Sequence, residues 1–363
     1  MTPVETFFAI IRLVWLNFQF INIIFFPDDC NPNLKDYWNF ILNDTENKTV
    51  DVIAVSSLAG FGIRRAALAI GVFDGVHLGH QLLLARLLDM ARELDAVPCA
   101  LTFSPHPRQV LAPEKAPPLL LEPEQKARLL HGFGMTGVVT LPFTREFASQ
   151  TPDAFIADCL YSDTVEVAGI AVGANWRFGR GGCGGVADLE RIAAQKHFRL
   201  VAVPELRVDG QVVSSTAIRR AVAGGLLDRA AGLLGRNYSL TGTVVRGYRV
   251  ASSELSHPTA NLDVCHGVLP PNGVYAGLVH LDGQAFDAAV NIGECPTFHR
   301  SGAEVRVEVH VLDFSGDLYG CRIELELLRY LREERTFGDS LALRQQIAED
   351  VREIRRLAEQ HRK

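Results

Sequence analysis

Leu68-Ala69-Ile70-Gly71-Val72-Phe73-Asp74-Gly75-Val76-His77-Leu78-Gly79-His80 is the stretch whose reading decides the fold. Its first three residues form a short apolar run suited to a buried parallel strand. Residues 81 to 94 are rich in Leu, Ala and Arg, with apolar residues at helical spacing, and predict a helix. His77 and His80 therefore stand where a strand gives way to a helix. Unpaired backbone N–H groups and the positive end of the helix dipole attract anions at such a point. Glycines at 71, 75 and 79 permit close backbone approach to a ligand. A His-x-x-His pair by itself is commonly chance; behind a strand and Phe-Asp-Gly it reads as a compact pocket for phosphate groups.

Outward from this point the pattern keeps alternating. Residues 65 to 236 predict strands at 69–73, 98–103, 137–141, 165–172 and 200–203, and helices near 122–131, 152–159, 186–196 and 215–223. Strands alternating with helices are the signature of a parallel sheet, in which ligands bind at the carboxyl ends of the strands. Beyond Leu233-Leu234-Gly235-Arg236 the alternation stops. Strands at 239–245, 273–281, 285–291, 305–314 and 322–328, separated by Gly, Pro and Asn, favour a small β-barrel. A charged amphipathic helix at 340–358 closes the chain. The fold class is thus a Rossmann-like α/β domain at 63–236, followed by a β-barrel domain with a C-terminal helix at 237–363.

Bulk properties narrow the function classes. With 363 residues the chain is long enough for two domains with cores of their own. A net charge of −6 gives no general affinity for nucleic acid. Seven cysteines without a Cys-x-x-Cys pair argue against a disulfide framework or structural zinc and for a reducing, cytoplasmic setting. Residues 1–62 read as an N-terminal extension of unknown role. Within it, 7–26 is long enough for a membrane span, but Arg12, Asn17, Gln19 and Asn22 make it a poor one. No basic run precedes it and no small-residue cleavage site follows, so the sequons at Asn43 and Asn47 are read as coincidence.

Three further stretches of the first domain carry chemistry. Thr102-Phe103-Ser104-Pro105-His106-Pro107 ends a strand in a turn that can present a hydroxyl or an imidazole. Gly173-Ala174-Asn175-Trp176-Arg177-Phe178-Gly179-Arg180-Gly181-Gly182 is a glycine-rich loop able to approach a ligand backbone-first and stack a flat ring. In Ser214-Ser215-Thr216-Ala217-Ile218-Arg219, Ser214 or Ser215 is a good N-cap. Ser215 and Arg219 share a helix face, and Arg219 offers a charged fork for terminal phosphates. Each stretch also has an ordinary reading as a turn, a surface loop or a capped helix.

Together these motifs resemble the nucleotidylyltransferase superfamily, and more closely the bacterial bifunctional riboflavin kinase/FMN adenylyltransferase (FAD synthetase) family. The resemblance covers about residues 67–357. It implies transfer of AMP from ATP to FMN, giving FAD and pyrophosphate. By the resemblance Gly71, Phe73, Asp74, His77, His80, Ser214, Ser215, Thr216 and Arg219 bind ATP. His77 and His80 serve the α-phosphate, and Ser215, Thr216 and Arg219 serve the β- and γ-phosphates. Pro105, His106, Asn175, Trp176, Arg177 and Phe178 face the flavin. Where the family commonly has an acidic residue and Phe, this chain has Asn175-Trp176, so a negative charge is lost. Val72 also replaces a residue that is often polar.

The barrel carries His257-Pro258-Thr259-Ala260-Asn261-Leu262, similar to the Pro-Thr-Ala-Asn motif of riboflavin kinases. Thr259 and Asn261 offer oxygen ligands suited to Mg²⁺ beside the ATP phosphates. Asn291-Ile292-Gly293, Pro296-Thr297-Phe298, Val307-Glu308-Val309-His310 and Leu331-Arg332-Glu333-Glu334 follow in the family's order. The resemblance makes Glu308 the general base for the ribityl hydroxyl of riboflavin. Ser252-Ser253-Glu254-Leu255-Ser256-His257 departs from the glycine-rich basic loop expected there, removing a cation and two glycines. Three readings therefore stay open: a two-step enzyme taking riboflavin through FMN to FAD, an adenylyltransferase with a degenerate kinase barrel, and a non-catalytic flavin-binding protein.

Overall fold

The computed structural model describes residues 50–245, 260–264, 267–281, 283–295, 304–335 and 337–362. The chain forms two compact units. Among described residues one comprises 50–73, 80–115 and 127–205; the other comprises 74–79, 116–126 and 206–362.

The first unit is built on a parallel six-stranded sheet of order β1-β4-β3-β2-β5-β6. Its strands are β1 (Val50–Val52), β2 (Arg65–Ile70), β3 (Val97–Ser104), β4 (Gly137–Pro142), β5 (Glu166–Gly173) and β6 (Arg199–Val203). β2 and β5 are buried on both faces over most of their length, which is why they read as unbroken apolar runs. β1 pairs with β4 from Val50↔Gly137 to Val52↔Val139. A 3-10 segment, Val55–Phe61, then buries Val55 and Leu58. Residues 50–61, left without a role by the sequence reading, are therefore part of the sheet's own fold.

The helices met in chain order are α1 (Leu78–Glu93), α2 (Pro107–Leu111), α3 (Pro123–Gly132), α4 (Arg145–Ala148), α5 (Pro152–Leu160) and α6 (Val186–Lys196). Local chemistry sets their ends. Thr151 Oγ1 accepts the Ala154 N–H ahead of α5, with Pro152 in the first turn, and Thr144 caps α4 in the same way. α1 starts three residues before the apolar periodicity predicts, so His80 lies in its first turn and His77 just precedes it. β2 ends at Ile70 because Phe73 takes φ 53° and carries the chain out of the sheet.

In the second unit a short hairpin, β7 (Arg207–Val208) with β8 (Gln211–Val212), precedes α7 (Ser215–Ala223) and α8 (Leu227–Leu234). A closed barrel follows, of order β10-β13-β12-β11-β14-β9. Its strands are β9 (Tyr238–Val245), β10 (Ala260–Asp263), β11 (Gly273–Leu281), β12 (Gln284–Cys295), β13 (Glu304–Val311) and β14 (Arg322–Arg332). The end of the Pro-Thr-Ala-Asn motif is thus a strand, β10, paired antiparallel with β9 and β13. Leu240, Tyr275, Val290, Val309 and Leu325 fill the barrel as fully buried side chains.

α9 (Ser340–Arg362) lays Ile354 and Leu357 against Ala276 of β11 and the nearby apolar residues Ala289 and Leu328. Its polar anchor is Asp350, a buried carboxylate that accepts Arg332 Nε at 3.1 Å on each oxygen and Nη2 at 2.7 Å. Removing one partner of a buried pair costs about 3–5 kcal/mol, because the other charge is left uncompensated. Asp350→Ala is expected to destabilise the second unit by about 3 kcal/mol, read as a fall in the denaturation midpoint at unchanged slope. A change below about 0.5 kcal/mol, the size of an ordinary surface substitution, refutes the anchor.

Candidate active site

Within the second unit, residues 74–79 form a turn held from several sides. Asp74 is 4% exposed. Its Oδ1 accepts the N–H groups of Leu120 at 2.9 Å and Leu121 at 3.2 Å, and its Oδ2 is ion-paired with Arg219 Nη2. Arg219 Nε donates to the Pro118 carbonyl at 2.7 Å, and Ser215 Oγ donates to the Asp74 carbonyl at 2.7 Å. Arg236 donates to the next two carbonyls, Gly75 at 2.8 Å and Val76 at 3.3 Å. Ser214 Oγ caps α7 by accepting the Ala217 N–H at 3.2 Å, and Thr216 is exposed beside it. Asp74, Ser214, Ser215 and Arg219 are thus brought together, Asp74 and Arg219 as a pair that no spacing rule revealed.

His77, at the end of this turn, is buried with 7% exposure. Burial pushes its imidazole down to about 3; a backbone hydrogen bond opposes that, and the charges of Arg236 and Arg219 add to it. The ring is therefore neutral at physiological pH, a hydrogen-bonding group and not a fixed cation. It covers Gly79, where a Cβ would meet the ring at 3.3 Å. Lys126 is a further cation beside this turn: burial draws it down to about 8, and the Asp74 carboxylate opposes the fall.

The first unit holds the 71–73, 102–107 and 173–182 stretches. Phe73 is fully buried, its ring against Gly71 and edge-on to His80 at 5.2 Å. Thr102 Oγ1 donates to the Val72 carbonyl at 3.1 Å. His106 Nδ1 accepts the Arg108 N–H at 3.1 Å, so its ring caps α2, while Pro105 is exposed. In the glycine-rich loop, Trp176 stacks on Phe178 at 4.7 Å and 15°, and Phe178 is itself buried in the core. Phe178 supports Trp176 from beneath; Arg177 and Asn175 are exposed. Asn175 Nδ2 donates to Glu205 Oε1 at 2.8 Å. The negative charge missing at position 175 is thus present one residue away in space.

A second constellation lies on the barrel. Register places Asn261 opposite Glu308 and Glu308 opposite Asn291, one row across β10, β13 and β12. The Oδ1 atoms of Asn261 and Asn291 are buried without a hydrogen-bond partner, an arrangement that costs free energy unless a ligand completes it. Asn291 Nδ2 donates to Glu334 Oε1 at 2.9 Å, and a Cβ at Gly293 would collide with that carboxylate. Asn261 Oδ1 is a hard oxygen donor of the kind Mg²⁺ prefers. No group of three His, Cys, Asp or Glu among the described residues can hold a metal. Thr259, the 252–257 loop and 296–298 lie outside the described residues.

Two family models match successive stretches of the chain. A family model for FAD synthetase matches residues 63–217, and one for riboflavin kinase matches 234–358. A Pseudomonas fluorescens bifunctional riboflavin kinase/FMN adenylyltransferase is 37% identical, over 81% of this chain and 94% of its own. The Escherichia coli K12 protein of that name is 35% identical, over 78% and 90%. A solved Streptococcus pneumoniae chain, described as a macrolide-efflux protein, superposes with TM-score 0.71 and 27% identity, covering 84% of this chain and 98% of its own. No described helix of the present chain is long and apolar enough to cross a membrane. The fold, a parallel sheet with helices followed by a closed antiparallel barrel and a C-terminal helix, carries a FAD synthetase match on its first part and a riboflavin kinase match on its second. The chain belongs to the bifunctional riboflavin kinase/FMN adenylyltransferase family, enzymes of flavin cofactor biosynthesis.

Sequence reasoning passed over Arg236, Asn291, Lys126 and Glu205. The first two lie inside motifs it quoted, which was the available signal; the other two owe their place to tertiary neighbours alone. The buried, neutral His77 gives a direct test. Its imidazole NMR signals are expected to stay at neutral-form positions from pH 8 to pH 5, since its pKa is lowered to about 3. A titration midpoint near 6.5 overturns this description of the turn.

Proposed function

We propose that this chain phosphorylates riboflavin to FMN and adenylylates FMN to FAD, with ATP as donor in both steps and Mg²⁺ as the cation. The observation that carries this reading against its rivals is the Asn261–Glu308–Asn291 row. It sets a carboxylate between two buried, unsatisfied amide oxygens on the barrel, an arrangement with no evident structural purpose.

In the kinase step Glu308 accepts the proton of the ribityl hydroxyl as that oxygen attacks the γ-phosphorus, and ADP leaves. Thr259 and Asn261 would hold Mg²⁺, which would supply charge neutralisation to the phosphates of ATP. In the adenylyl step a phosphate oxygen of FMN attacks the α-phosphorus of ATP and pyrophosphate departs. The protein's work there is positioning and charge stabilisation. His77, as a neutral imidazole, and His80 hold the α-phosphate. Ser215, Thr216 and Arg219 hold the β- and γ-phosphates, with Ser214, Gly71, Phe73 and Asp74 shaping the ATP side. Pro105, His106, Asn175, Trp176 and Arg177 face the flavin, with Phe178 behind Trp176. Cys99, Cys159, Cys183 and Cys321 are free thiols, which supports a cytoplasmic setting.

Purified full-length chain given riboflavin, ATP and Mg²⁺ is expected to form FMN and then FAD. Glu308→Gln should lower FMN formation from riboflavin by about 10²–10⁴-fold, the usual contribution of a general base, and leave FAD formation from added FMN unchanged. Wild-type protein that makes FAD only when FMN is supplied would reduce the barrel to a packing or flavin-binding module. Quenching of flavin fluorescence without pyrophosphate release would favour the non-catalytic reading.

A further inference from the structure

The Leu-Leu-Gly-Arg string at 233–236 takes no part in the chemistry above, yet its arginine reaches the turn on which that chemistry depends. Gly235 ends α8 in the left-handed conformation, φ 75°, and Arg236 follows directly before β9. Its two terminal nitrogens donate to the carbonyls of Gly75 and Val76, the two residues immediately before His77. Val76 has φ 38°. A β-branched side chain disfavours that region strongly, and such a residue persists only where its surroundings over-determine it. Asp74 is fixed through its own carboxylate and carbonyl, but the bonds found on the Gly75 and Val76 carbonyls come from Arg236.

We infer that Arg236 is a positioning residue for adenylyl transfer: its guanidinium fork holds the backbone of residues 75 and 76 in the strained turn that aims His77. The inference rests on the proposed role of His77 in that step. Geometry explains why the residue is arginine. Two acceptors on successive peptides demand two donors in a fixed fork, whereas a lysine ammonium is a single point on a flexible stem. The charge of the group is compensated from the barrel. Burial draws Arg236 down to about 10, while Glu324 and Glu326 of β14 oppose the fall, so the group is cationic at physiological pH. It touches no position assigned to substrate. Its action is on where His77 sits.

The test compares Arg236→Met and Arg236→Lys with wild type, measuring riboflavin phosphorylation and FMN adenylylation on the same full-length preparations. Arg236→Met is expected to lower kcat for FAD formation by about 100-fold, the loss that a displacement of about 1 Å can cause. KM for ATP and FMN should stay within about threefold, because the groups assigned to substrate remain. Arg236→Lys, able to satisfy one carbonyl, should fall between, and guanidinium ion added to Arg236→Ala should restore part of the lost rate. Riboflavin phosphorylation should be unchanged in all three and reports that the barrel is folded. An unchanged kcat for FAD formation in Arg236→Met overturns the inference. So does a parallel loss of both activities in Arg236→Lys with no rescue of Arg236→Ala, which marks a purely structural role. Wild-type protein that adenylylates no FMN sinks the functional reading instead, and the two failures are told apart by that control.

Discussion

The Asp74–Arg219 ion pair is the constraint from which the turn between β2 and α1 is built. A buried carboxylate is tolerable only when its charge is paired and its lone pairs are used. Asp74 meets that demand with one oxygen on two backbone N–H groups and the other on Arg219. In doing so it joins three separate stretches of the second unit: the turn itself, residues 118–121 and α7. Arg219 is held in turn by the Pro118 carbonyl, which accepts from its Nε. The pair also lets a helix-start serine, Ser215, donate its hydroxyl to the Asp74 carbonyl. On that base the chain takes φ 90° at Gly75, which glycine permits, and φ 38° at Val76, which a β-branched residue disfavours.

The barrel solves a similar problem with a different outcome. Glu326 is also buried, but its partners are His280 at 2.8 Å, His361 at 3.1 Å and Asn237 at 2.7 Å. Both carboxylate oxygens there are engaged, and the cluster reads as a fastening between β14, β11, the start of β9 and the end of α9. The Asn261–Glu308–Asn291 row on the same barrel is left incomplete. A fold that satisfies one buried polar group fully and leaves amide oxygens open a few strands away separates structure from chemistry. The satisfied site fastens the barrel; the row leaves two buried amide oxygens without a partner.

How much of this the sequence carried depends on whether the deciding neighbours were local. α6 and α7 follow from apolar spacing and a cap, and their predicted limits match those observed. The parallel sheet and the barrel were legible from period and punctuation. β10 was not, because Ala-Asn-Leu-Asp has no strand propensity and becomes a strand only by pairing on both edges. β1 was hidden for a different reason: Val50-Asp51-Val52 is only three residues long, too short for a period to show, and is placed by its pairing with β4. The motifs at 71–80 and 214–219 could be read as phosphate-binding because the relevant groups are close in sequence. The partner of Arg219, the carboxylate beside Asn175 and the reach of Arg236 are separated by 30 to 161 positions, and no local pattern contains them.

The same electrostatics determine where the second unit yields on acidification. His77 has a folded pKa of about 3, below its ordinary 6.5. Its neutral form is the one the fold accepts, so its contribution is intact above pH 6.5. Below that it declines by about 1.4 kcal/mol per pH unit until about pH 3. His280 behaves oppositely: the hydrogen bond to Glu326 raises its pKa, and its contribution is full below 6.5 and lost as pH rises through the folded value. Burial pushes Glu326 up, but His280, His361 and Asn237 outweigh that and bring it from 4.5 to about 2, so its contribution starts to fall only below pH 4.5. On the way down from neutrality, His77 therefore begins to lose ground two pH units before the barrel's carboxylate does. The first cost of acid falls on the turn before α1, and the histidine–glutamate fastening of the barrel outlasts it.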